Sequence, residues 1–324
     1  MKPLQTSGLT YAHREGVWVQ LEWDNFSGVG EAAPLPGFSL ETLKEVHYAL
    51  EGFHQAVEGE EIDMEELFLL INLHAQKIPS VQFALETAVY DILAKEAKLK
   101  IAQYLNKNAD SEIGVNGLNG IHHPGDGFSV VKVKVGIHNL FDEIDNLKYL
   151  TQSFGKNVKF RLDCNGAFDL PQAIRFCKEM GKFNIDYIEQ PLPADNLEDL
   201  AELTYHTEFP IAVDESLTDF KSAEQIIEEQ AADVFVIKPM ISGGFTECEK
   251  IINIARNEKI RTVVTSSLET NIGRTACLHL ALANEITEPC GLATGELLNE
   301  EITTPSIQDG KMNIFEKHGL GIEI

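Results

Sequence analysis

Charged residues recur at the ends of short strand-like runs through the middle of this chain. Their interval is about 25 residues, the length that one strand and one covering helix consume. The runs are VVKVKVG with Lys134, FRLDCNG with Asp163, DYIEQPL with Glu189, IAVDES with Asp214 and VFVIKPM with Lys238. Strands alternating with helices imply a parallel sheet. A parallel sheet that closes into a barrel gathers all five groups at its C-terminal mouth, where such barrels do their chemistry.

The alternation within each run says which groups face inward. Val131, Val133 and Val135 share one face of their strand while Lys132 and Lys134 share the other. Phe160, Leu162 and Cys164 alternate in the same way against Arg161, Asp163 and Asn165. In a barrel the apolar face packs on the helix ring, so the charged face points inside. An unpaired interior charge is costly, and these groups must therefore pair with one another or bind a cation.

Strands are expected near 114–118, 130–135, 158–163, 185–189, 210–214, 233–238, 261–266 and 290–293. Between them, Pro171 opens a helix that Gly181 closes, and Thr246 with Glu249 forms a capping-box pattern. Residues 1–105 read differently. Val17–Trp23 alternates as a strand, the Pro/Gly-rich segment EAAPLPGFS follows, and helices are expected from about Leu40 and from Ser80 to Ala97. The reading is an α+β capping domain over 1–105, a barrel over 106–299, and a tail of about 300–324 that returns to the first domain. Only a short stretch precedes the REGVW strand.

The net charge of −25 argues against nucleic acid and against an anionic membrane surface as partners. The N-terminal segment lacks an apolar core of signal-peptide length. Five scattered cysteines without a CxxC pair suit reduced, buried thiols in a cytoplasmic protein.

Any one of Asp163, Glu189 and Asp214 alone would read as a solvated strand-end carboxylate. On consecutive units the three converge, repel, and call for a hard cation with oxygen ligands: Mg²⁺, or Mn²⁺, rather than Zn²⁺. Lys134 and Lys238 could be structural ion-pair partners of those acids. The functional alternative sets a general base on one face of a substrate and a cation or second base on the other, with Lys132 adding a third positive group. The acid to be deprotonated is then a carbon α to a carboxylate. SSLET (Ser266–Thr270) offers hydroxyls and N–H groups to an anion at a helix start, or is simply a cap. Gly243-Gly244 reads as a loop and His122-His123 as surface.

Together KVKVG, RLDCN, IEQPL, VDES and IKP resemble the enolase superfamily, in its muconate-lactonising-enzyme-like branch. GVGEAAPLPGFSLETL, KPMISGG and TSSLETNIG are most similar to its o-succinylbenzoate synthases of menaquinone biosynthesis. The resemblance implies a capping domain on a (β/α)7β TIM-like barrel, with Mg²⁺ on Asp163, Glu189 and Asp214. It implies Lys134 as base and then acid, and Lys238 as the opposing cation. The implied reaction is syn dehydration of 2-succinyl-6-hydroxy-2,4-cyclohexadiene-1-carboxylate. Lys132, Arg161, Asn165, Ser266 and Ser267 are the expected substrate contacts. The expected substrate is a small dicarboxylate, its distal carboxylate near Ser266 and Ser267.

Two lysines face to face equally suit an N-acylamino-acid racemase or a dipeptide epimerase on the same scaffold. The stretch GLATGELL (291–298) lacks the DxD-type motif of the latter, which favours the synthase. A third reading, a degenerate barrel serving as a binding protein, is disfavoured because every expected catalytic group is present.

Overall fold

The computed structural model describes residues 4–5, 10–11, 13–299, 302–303, 305–322 and 324. It opens with a short antiparallel pair, β1 (Leu4–Gln5) and β2 (Thr10–Tyr11). The long hairpin β3 (Val17–Trp23) and β4 (Phe26–Ala32) follows, then helices α1 (Leu43–Val57), α2 (Met64–His74), α3 (Pro79–Glu96) and α4 (Ile101–Leu105). The hairpin lies directly on α3. A Cβ on Gly28 or Gly30 would run into the backbone carbonyl of Ala88 or Ala84, so only glycine permits that approach. Val46, Phe53, Leu67, Ile71 and Leu85 fill the core between the helices and the hairpin.

After β5 (Glu112–Gly114) the chain enters the barrel. Its strands are β6 (Gly117–Leu118), β7 (Val130–Lys134), β8 (Lys159–Asp163), β9 (Ile185–Glu189), β10 (Ile211–Val213), β11 (Val234–Ile237) and β12 (Arg261–Val264). They pair in parallel in sequence order. Parallel bridges from Cys290 to Val115 and from Gly291 to Thr265 insert an eighth stave and close the ring. The covering helices are α5 (Leu140–Phe154), α6 (Leu170–Met180), α7 (Leu197–His206), α8 (Phe220–Glu228), α9 (Pro239–Ser242), α10 (Gly244–Asn257) and α11 (Asn271–Ala283). The fold is an α/β, TIM-like barrel with a smaller N-terminal unit. After it, β13 (Ile307–Gln308) and β14 (Lys311–Asn313) pair antiparallel, and β14 also pairs with β5.

Most helix signals in the sequence act as read. Asp169 caps α6 in a capping box with Gln172, and Gly181 ends it. Two start points differ. Thr42 rather than Leu40 marks the entry to α1. Helix α10 begins at Gly244 behind a left-handed Gly243, so Thr246 lies inside its first turn. The Thr246 N–H is taken by the buried Glu86 carboxylate of α3 at 3.0 Å, and a partner from another element replaces the local box. No described helix is long and apolar enough to cross a membrane.

Candidate active site

Strand register stacks the inward side chains in layers. Lys134 pairs in register with Asp163, and Asp163 with Glu189, which sets one layer at the strand ends. Lys132, Arg161 and Tyr187 form the layer beneath. Asp214 and Lys238 follow the last residues of β10 and β11. Counting from β6, the lysine strands β7 and β11 are the second and sixth of eight staves. Lys134 and Lys238 therefore face each other across the mouth.

Salt links knit the group together. The Lys132 Nζ lies 2.7 Å from Glu189 Oε1 and 3.1 Å from Asp163 Oδ2. Lys238 Nζ is 2.6 Å from Asp214 Oδ2 and sits over the Phe38 ring at 4.7 Å. Lys134 makes no such pair among the described residues; it donates to Asn165 Oδ1 at 2.7 Å, and Asn165 Nδ2 donates to Glu215 Oε1 at 2.9 Å. Burial lowers the Lys134 pKa, and it outweighs the opposing pull of Asp163. For Lys238 burial acts in the same direction but Asp214 and Glu215 outweigh it, and the pKa rises. Burial likewise opposes ionisation of Asp163, yet Lys132 and Lys134 hold its pKa below the usual value.

With the ammonium groups of Lys132 and Lys238 lying among the acids, no three His, Cys, Asp or Glu side chains among the described residues are grouped to hold a metal ion. The donor set nevertheless fits a hard divalent cation. Four carboxylates (Asp163, Glu189, Asp214 and Glu215) stand against three lysines. Glu189 Oε2 and Glu215 Oε2 are buried without a hydrogen-bond partner, and a cation with oxygen ligands would satisfy such orphaned atoms.

The mouth holds a cavity of about 370 Å³. Lys132, Lys134, Asn165, Ser266 and Ser267 line it, with Asp163, Asp214 and Lys238. Leu35 and Phe38 of the PLPGFS loop form part of its wall, and Leu118, Ile121, Leu268 and Leu297 make the rest largely apolar. A larger depression of about 850 Å³, beside Phe209, Asp233 and Arg261, lies at the other end of the strands and holds no comparable grouping.

Three expectations need correction. Arg161 does not reach the mouth. Fully buried, it donates to Asp186 Oδ2 at 2.8 Å and to Asn116 Oδ1 at 3.2 Å, and its guanidinium lies 4.6 Å from the Tyr187 ring centre. His122 is buried rather than on the surface: its Nδ1 accepts the Leu118 N–H at 2.9 Å and its ring packs on Phe128. The start of α11 is not open to a substrate anion, because protein carboxylates already occupy its donors. Glu31 accepts from the Thr270 N–H, the Thr270 hydroxyl and the Gly273 N–H, while Glu269 accepts from the Ser267 N–H. Ser266 Oγ is shared with Thr294 and the Leu268 N–H, whereas the buried Ser267 hydroxyl has no hydrogen-bond partner among the described residues.

Sequence reasoning passed over Gln190 and Glu215, although each adjoins a singled-out acid. The signal for Gln190 was its place between a strand-end carboxylate and a proline.

Residues 124–324 match the family described as enolase C-terminal domain-like, and residues 6–92 match the family described as MenC, N-terminal domain. The L-amino acid-D/L-Glu epimerase of Francisella philomiragia is 30% identical, over 90% of this chain and 87% of that protein. The o-succinylbenzoate synthase of Desulfotalea psychrophila is 25% identical, over 95% and 94%. Among solved structures, the dipeptide epimerase from Enterococcus faecalis V583 complexed with Mg and the dipeptide L-Leu-L-Tyr has a TM-score of 0.84. It is 26% identical, and the match covers 96% of this chain and 98% of that one. Identity thus leans toward epimerases rather than toward the synthase. On its barrel, its strand-end residues and these matches, the chain belongs to the enolase superfamily of enzymes.

Proposed function

We propose that this enzyme moves a proton at the carbon α to a carboxylate, as an epimerase or racemase of amino acids whose amine is held in an amide, dipeptides included. The observation that carries the reading is the placement of Lys134 and Lys238 four staves apart, on opposite sides of the mouth. A substrate lying between them meets one amine on each face of its α-carbon. Lys134, whose charged form burial disfavours, is suited to remove the proton. Lys238, held as a cation beside Asp214, is suited to return one from the other face, which inverts the centre. In the opposite direction the two exchange roles. Asp163, Glu189 and Asp214 would hold a divalent cation, which would supply Lewis-acid stabilisation of the charge that develops on the substrate carboxylate. Phe38 and Leu35 cover the site and limit water.

Epimerase relatives support this reading, and so does the apolar wall, which suits an uncharged remainder of the substrate. Dehydration to o-succinylbenzoate is the second reading, favoured by the match of residues 6–92 to the MenC N-terminal domain family. One experiment separates them. The enzyme with Mg²⁺ is incubated in D₂O with N-acetyl-L-leucine, L-Ala-L-Leu or the cyclohexadiene dicarboxylate, and products are followed by NMR and chiral chromatography. We expect α-deuteration and formation of the other stereoisomer from the first two. Fast loss of hydroxide from the third, with no exchange in the others, would replace epimerisation by dehydration.

A further inference from the structure

Gln190 follows Glu189 directly and has a left-handed backbone, with φ of 38°. For a residue other than glycine that conformation is strained, and such strain persists only where surrounding contacts impose it. The contacts here come from its own carboxamide, 1% exposed. Gln190 Oε1 accepts the Asp214 N–H at 3.0 Å and the Ser216 N–H at 3.1 Å. Gln190 Nε2 donates to Ser216 Oγ at 2.8 Å and to Leu192 O at 2.9 Å. Its backbone N–H donates to Ala212 O at 2.8 Å, and Gly166 donates to its carbonyl at 2.7 Å. A single residue therefore binds the turn after β10 to the turns after β8 and β9, beside the strand ends that carry Asp163, Glu189 and Asp214.

Strand pairing does not supply this tie. The register between β9 and β10 ends at Ala212, so the backbone of Asp214 has no ladder bond to β9. Its N–H is held by the Gln190 side chain instead. Three carboxylates that repel one another need their backbones fixed from outside, since nothing in their mutual interaction keeps them together. We propose that Gln190 is a positioning residue that sets Asp214 against Glu189 and Asp163 and so preorganises the three acids for a divalent cation. This rests on the reading of those acids as cation donors.

The test measures Mn²⁺ affinity of the full chain by isothermal titration calorimetry, without turnover. Gln190→Gly relieves the backbone strain but removes the carboxamide. Gln190→Glu keeps an oxygen at the position that accepts from Asp214 and Ser216. We expect Gln190→Gly to weaken Mn²⁺ binding by about tenfold or more, the usual effect of losing an outer-sphere partner. Gln190→Glu should stay within about threefold of wild type on the same grounds. A residue needed only for its backbone shape would give the reverse, with glycine binding as well as wild type. If the glycine variant does not fold, Ser216→Ala removes the hydroxyl that orients the carboxamide, and unchanged affinity there overturns the proposal. Failure of the wild-type chain to bind Mn²⁺ would instead overturn the underlying reading of the three acids.

Discussion

Two lysines of the same type occupy unlike surroundings, and that difference sets what each can do. Lys134 touches a neutral amide, whereas Lys238 is locked to Asp214 and stacked on Phe38. If each serves one face of the substrate, Lys134→Ala should exchange the α-proton of one enantiomer only and Lys238→Ala that of the other. Interconversion of the enantiomers should fall by roughly 10²–10⁴ in either variant. Deuterium incorporation from each pure enantiomer is the measurement, and exchange of both by Lys134→Ala would refute the two-base arrangement. Arg161 shows what single residues conceal. Alternation correctly placed it inside the barrel with Asp163, but it says nothing about depth. Two residues along a strand amount to about 6.6 Å, enough to move a side chain from the mouth to the floor. There Arg161 neutralises Asp186 beside Tyr187. Asp186 keeps Arg261 as a second partner at 3.0 Å, so Arg161→Ala should destabilise the fold by about 1.5–3 kcal/mol in urea titration, the cost of a lost charged hydrogen bond. The KM of the folded fraction should not change; a raised KM with full stability would return Arg161 to the substrate site.

Elements were legible where their signals are local. Seven of the eight expected strand runs, the Asp169–Gln172 and Gly181 boundaries of α6, and the long α3 follow from period, caps and turns, while 290–293 contributes only single bridges at Cys290 and Gly291. Signals supplied by distant elements were not. Glu86 of α3 replaces the expected box at Thr246, and Glu31 of β4 fills the donors of α11, so an apparent anion site was already occupied. Helix α11 carries a second such tie in His279. Its Nδ1 accepts the Ala102 N–H at 3.1 Å, which leaves the proton on Nε2, 3.3 Å from Leu320 O. Burial pushes the His279 pKa down to about 4. The unfolded chain has the ordinary value of about 6.5 and so binds the proton first. His279 therefore costs no stability above pH 6.5, and stability falls as pH drops from there toward 4. The full effect is roughly 3 kcal/mol. Glutamine can replace both hydrogen bonds without titrating, so His279→Gln should flatten the acid limb of stability against pH over that window. Chemical denaturation across pH reads this directly, and parallel curves for the two proteins would reject it.

At the scale of the whole molecule, the C-terminal tail decides whether the N-terminal unit and the barrel behave as one body. Strand β14 extends the small sheet that starts at β5, beneath the barrel's first stave. Beyond it, Gly319 exchanges hydrogen bonds with Leu99 and Ile101, and the Leu320 N–H reaches Asp91 Oδ1 at 2.7 Å. Asp91 is fully buried in α3, and its other oxygen accepts from Val29 of the hairpin and from Lys95. One carboxylate thus joins the hairpin, the long helix and the end of the chain, while His279 ties the same end to the barrel. Glu31 and Glu86 cross the boundary elsewhere. Buried charged bonds of this kind are lost together, since opening one surface leaves every partner desolvated and unpaired. We expect a single calorimetric transition with equal van't Hoff and calorimetric enthalpies, although the chain is long enough for two units. Asp91→Ala should lower the midpoint of that transition by several degrees without splitting it. Two resolved transitions in the wild-type chain would mean that the units fold separately and that the tail merely rests on both.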